Sequence, residues 1–104
     1  MSKIRITDDA KNDISESAKF YEKKQKELGY DFLEQVEVSL ARIRENPKQF
    51  PQEYREVRKA LTGRFPHQVL FVIRSFGIIV FAVFHTSRNP DNWKKRADNE
   101  LKDL

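Results

Sequence analysis

The chain has 104 residues, 38% of them hydrophobic and 35% charged, with a net charge of +4; this is enough for one domain (residues 1–104) around one core, and too apolar for a disordered chain. The absence of cysteine removes disulfides and thiolate chemistry, the two histidines (His67 and His85) have no carboxylate at ligand spacing, and the three glycines are isolated, so neither a metal nor a nucleotide cofactor is expected. No apolar run approaches the roughly 18 residues of a membrane span, and Met1-Ser2-Lys3 opens no signal-peptide core, so a cytoplasmic protein is expected.

Lys3-Ile4-Arg5-Ile6 alternates charged and apolar residues, the period of a half-buried strand. Thr7 and Asp8 offer side-chain oxygens to cap a helix, and Asp9 adds negative charge near its positive end. Ala10, Ile14, Ala18, Tyr21 and Leu28 form one face of that helix, with Gly29 expected to close it in the left-handed conformation. Phe32 or Leu33, Val36, Leu40 and Ile43 repeat the stripe in a second helix that Pro47 stops. A connection of only one or two residues makes the pair an antiparallel hairpin.

Phe50-Pro51 and Phe65-Pro66 punctuate the next region, whose middle, Tyr54 to Leu61, is a weak strand pattern. His67 to Arg74 is a strong one, and Ser75-Phe76-Gly77 turns it into a last strand over Ile78 to Phe84, antiparallel to its neighbour. Strict alternation would set Ile79, Phe81 and Val83 against Ile78, Val80, Ala82 and Phe84, leaving both faces apolar. The helical hairpin covers one face. The other needs a cover too: a tail helix with Asn89 as N-cap and Pro90 at its first position, running through Trp93 and Leu101, or a partner protein. The expected fold is α+β, in the order β-α-α-β-β-β with a C-terminal tail helix.

Residues 8–46 carry ten acidic and seven basic side chains, whereas residues 53–88 carry six basic side chains against Glu53 and Glu56. The second half therefore offers a positive surface to an anionic partner, or is simply a solvated surface with uneven scatter.

A series of short motifs resembles the RelE/ParE family of toxins from type II toxin–antitoxin modules, many labelled plasmid stabilisation proteins. They are Ala10…Asp13-Ile14, Phe20-Tyr21, Leu28-Gly29, Phe32-Leu33, Ile43…Asn46-Pro47, Phe50-Pro51, Arg58…Leu61…Phe65-Pro66 and Val83…His85…Arg88…Pro90…Trp93…Arg96. The resemblance implies a toxin neutralised by an antitoxin whose C-terminal segment covers the sheet groove. Its ParE-like branch implies inhibition of DNA gyrase without a hydrolytic site; its RelE-like branch implies cleavage of ribosome-bound mRNA.

Cleavage by attack of a 2′-hydroxyl needs a base, a positive clamp on the phosphate and an acid for the leaving oxygen. Arg58, Arg64 and Arg74 are available as clamps and His85 as a group titrating near neutrality, so Arg58, Arg74 and His85 are the nuclease candidates. No Tyr or His follows His85, however, and Trp93 stands near where the family's terminal acid would be; an indole cannot transfer a proton. His67-Gln68 also stands where the nucleases tend to carry an arginine. The tail is more similar to the ParE branch, which makes a non-hydrolytic gyrase-directed toxin the leading expectation, with Arg58, Arg64, His85, Arg88, Trp93 and Arg96 as target-binding residues. A ribosome-dependent endoribonuclease and an inactive toxin-fold binding module are the alternatives. Each residue also has a plain structural role open to it: His85 as a hydrogen-bonding strand end, Trp93 as an anchor for the tail, Arg58 as the partner of a helix carboxylate, Arg88 and Lys94-Lys95-Arg96 as solvated charge. Phe20 and Tyr21 are expected in the core.

Overall fold

A computed structural model describes residues 3–102. The elements run β1 (Ile4–Ile6), α1 (Asp8–Lys24), α2 (Leu28–Glu45), a 3-10 turn (Pro47–Gln49), β2 (Gln52–Tyr54), β3 (Val57–Leu61), β4 (His67–Arg74), β5 (Gly77–His85) and α3 (Pro90–Lys102). The sheet has five strands in the order β1-β5-β4-β3-β2. All neighbours pair antiparallel except β1, which lies parallel to β5 and reaches only Ile78 to Val80. The weak pattern at 54–61 is in fact the second half of a hairpin: β2 and β3 turn through Arg55 and Glu56, with Arg55 at φ 53°.

Thr7 caps α1, its hydroxyl accepting from the Ala10 N–H at 3.2 Å. The helix ends at Lys24, one turn before Leu28, and Gly29 is not its cap. The left-handed residue is Glu27 (φ 74°), and Gly29 lies inside α2. Glu22 of α1 explains the tight turn, because its two carboxylate oxygens accept from the Glu27 and Gly29 N–H groups, each at 3.0 Å, and so satisfy the start of α2. Gly29 serves close approach: a Cβ there would stand 2.7 Å from the Ala18 carbonyl oxygen. Phe32, not Leu33, turns inward with Val36, Leu40 and Ile43.

The hairpin packs on Val69, Phe71, Ile78, Val80 and Val83. The opposite face, with Val57, Leu70, Val72, Ile79, Phe81, Ala82 and Phe84, is covered by Trp93 and Ala97 of α3, so the tail supplies the second lid. Asn89 accepts from the Asp91 N–H at 2.9 Å and Pro90 opens α3, as the sequence indicates. Leu101 lies within α3, but its side chain falls outside the described residues.

Strict alternation fails in β5. Phe71 pairs with Val80 and Leu70 with Ala82, leaving Phe81 as the extra residue of a β-bulge. Phe81 and Ala82 therefore share the α3 face, and every later residue changes sides: Phe84 joins α3, whereas Val83 faces the hairpin. His85, directly opposite His67, is carried to the hairpin side with Val83.

Candidate functional site

β1 pairs with only the first part of β5, so the outer edge of β5 from Phe81 to His85 has no neighbouring strand. Side chains take the place of one. Asp13 of α1 accepts from the Val83 N–H at 3.0 Å, and Arg96 of α3 donates to the Phe81 carbonyl at 3.0 Å. Arg96 and Asp13 are themselves joined at 2.6 Å, with Asp9 at 3.9 Å. One ion pair thus ties α1, the bulge and α3 together; the side chains are 22% and 11% exposed for Arg96 and Asp13.

Beyond this staple, α1 and the end of β5 enclose a cleft of about 250 Å³. It is lined by Phe20, Tyr21 and Val83, by the rings of His67 and His85, and by the charged residues Asp13, Glu16 and Arg88. His67 is 3% exposed and hydrogen-bonded through Nδ1 to the Tyr21 hydroxyl at 3.4 Å. Burial, reinforced by the neighbouring His85 ring 5.2 Å away, lowers its pKa to about 4, so it is neutral near pH 7. Burial likewise raises the pKa of the Tyr21 phenol.

His85 Nδ1 accepts from the Ser87 N–H at 3.0 Å and lies 2.8 Å from the Ser87 hydroxyl. A backbone N–H can only donate, so the neutral ring carries its proton on Nε2. His85 is then a donor toward a ligand, with no free nitrogen to act as a base.

The residues singled out in the sequence are dispersed. Arg58 gives its guanidinium to the carbonyls of Phe50 (2.6 Å) and Lys48 (3.3 Å), fastening the turn after α2; it pairs with backbone, not with a helix carboxylate. Arg64, in the β3–β4 loop, faces Asp31 at 3.9 Å. Arg74 pairs with Glu56 at 2.5 Å. It stands opposite Gly77, whereas His85 stands opposite His67. At about 3.3 Å per residue those ends of the sheet are roughly 23 Å apart. Arg74, Arg58 and His85 therefore form no common site.

Arg88 and Arg96 do come together, around the Phe84 ring, with the Arg88 guanidinium 3.7 Å from its centroid and that of Arg96 5.0 Å; His85 faces the other side of the sheet and shares only the cleft lining with Arg88. Trp93 belongs to the packing, 4% exposed against the sheet and edge-on to Tyr54, and with α3 docked it offers no surface to a target. Lys94-Lys95-Arg96 is not uniformly solvated, since Arg96 turns inward. Phe20, expected in the core, is 56% exposed at the cleft mouth. Asp13 and His67 join this site without any local sequence signal, because the bulge and the α1–β5 packing bring them to it. Among the described residues no cluster of His, Asp and Glu is arranged to hold a metal ion, and no helix is long and apolar enough to cross a membrane.

Residues 4–90 match the family model described as the ParE toxin of the type II toxin–antitoxin system parDE. The chain belongs to the ParE toxin family. Its fold is also that of a solved chain from the chromosomal ParDE toxin–antitoxin system of P. aeruginosa: the two share 17% identity and a TM-score of 0.73, over 82% of this chain and 96% of the other. No curated protein matches this sequence. In this ParE-family chain the family match ends at Pro90, where α3 begins, so the helix that closes the second sheet face lies beyond the matched segment.

Proposed function

We propose that this ParE-family toxin inhibits growth by binding a protein, with DNA gyrase the target by family analogy, and that a cognate antitoxin holds it inactive. The observation that carries this reading is the dispersal of the nuclease candidates. Arg74 is committed to Glu56 at one end of the sheet, Arg58 to backbone carbonyls, and His85 presents a donor where a nuclease would need a base. What remains at the free end of β5 is a recognition surface, with His85 and Arg88 at a cleft and Arg96 holding the edge in shape. The ParDE system named for the solved neighbour supports an antitoxin as the second partner.

The test is a pair of assays on purified protein. Gyrase supercoiling is expected to be inhibited, and transcripts in translating ribosomes to remain intact. Transcript cleavage that His85→Ala abolishes would overturn the proposal. Absence of both effects, with no effect of strong expression on growth, would favour the inactive binding module.

A further inference from the structure

Five arginines were candidates for recognition, and three of them are hydrogen-bonded: Arg74 and Arg96 to carboxylates and Arg58 to carbonyl oxygens. Arg64, an exposed loop residue away from the cleft, lies 3.9 Å from Asp31. Arg88 has no side-chain hydrogen-bond acceptor or ion pair among the described residues, although its guanidinium sits over the Phe84 ring, 3.7 Å from the centroid. A guanidinium anchored on an aromatic ring with its N–H groups uncommitted suits a planar oxyanion, which it can grip through two parallel hydrogen bonds. His85, three residues earlier in the same turn and in the same lining, contributes an Nε2–H because Ser87 engages its Nδ1.

The surroundings select among oxyanions. The cleft, at about 250 Å³, has room for one side chain with part of its own backbone, and Phe20 and Val83 offer apolar surface to an aliphatic stem. Asp13 is already neutralised by Arg96, which leaves Glu16 as the unpaired acidic group of the lining; it opposes the closely spaced phosphates of a nucleic acid more than a single carboxylate. Resting on the reading that this toxin binds a protein, we propose that the cleft between α1 and β5 receives an aspartate or glutamate side chain of the partner, with Arg88 and His85 as the donors. Glu16 then favours a basic neighbour on the same partner segment, which makes the recognised motif a pair of opposite charges, not an acidic tract.

The test uses the intact chain, isotope-labelled, with side-chain NMR signals of Arg88 and His85 as the readout. N-acetylglutamate N-methylamide, its glutamine counterpart and inorganic phosphate are titrated separately. The glutamate compound is expected to shift both signals to saturation and to bind about tenfold or more tighter than the glutamine one, the difference a charge-assisted pair contributes. Arg88→Gln should abolish the response with the backbone spectrum otherwise unchanged, and Arg88→Lys should restore only part of it. Equal responses to the two amides, tighter binding of phosphate, or an unaltered response in Arg88→Gln would each overturn the proposal. The readout needs no gyrase, so loss of supercoiling inhibition with an intact glutamate response would remove the proposed target and leave the carboxylate seat standing.

Discussion

Lowering the pH should unfold this protein through one residue more than any other we can name. His67 is 3% exposed and its pKa in the fold is about 4, against an ordinary 6.5. Because the folded value lies below the unfolded one, the unfolded chain takes up the proton first as pH falls. The stabilisation from keeping the ring neutral is complete above about pH 6.5 and is lost between pH 6.5 and 4. A displacement of that size corresponds to about 3 kcal/mol in full, and to about 2 kcal/mol at pH 5. Urea unfolding followed by the fluorescence of Trp93, the single tryptophan and a buried one, measures it directly at pH 7.5 and pH 5. His67→Gln removes the titration while the carboxylates common to both proteins cancel in the comparison. The wild type should lose about 2 kcal/mol more than the variant between the two pH values. Equal losses would refute the reasoning and mean that the His67 environment accepts the imidazolium.

Asp13→Asn should cost about 2–3 kcal/mol, less than a fully buried pair because Arg96 keeps some solvent contact; hydrogen exchange should show α3 loosening before the hairpin, and uniform loss of protection would argue against Arg96 as the tie. Gly29→Ala sets two effects against each other: helix propensity favours alanine by about 1 kcal/mol, while overpacking costs about 1–3 kcal/mol. With the obstacle a backbone oxygen at 2.7 Å, overpacking should win, and a raised melting temperature would contradict the close-approach role.

Much of this protein is determined locally and was legible in the sequence. The Thr7 cap, the stripes of both hairpin helices, the strands at 67–74 and 78–84 (the second extending by one residue at each end in the fold), and the Asn89-Pro90 start of α3 each depend on residues a few positions apart. The apolar character of both sheet faces also demanded two covers, and α3 proved to be the second. What the sequence could not determine depends on groups far apart in the chain. Gly29 looked like a helix cap because its role is a contact with Ala18, and Glu22 caps a helix it does not belong to. β2 was invisible, since three residues with one half-buried side chain carry no period.

The bulge at Phe81 had the largest consequence for function. In an uninterrupted apolar run one extra residue leaves no mark on the pattern, yet it reverses the facing of everything after it. That reversal brings His85 to His67 and Tyr21, and sends Phe84 to the other face beneath Arg88 and Arg96. Composition and motif order determined which family this chain belongs to. Only the tertiary structure decided which of the cleft's arginines is left without an acceptor among the described residues, because a guanidinium is claimed by whichever acceptor the fold brings within reach.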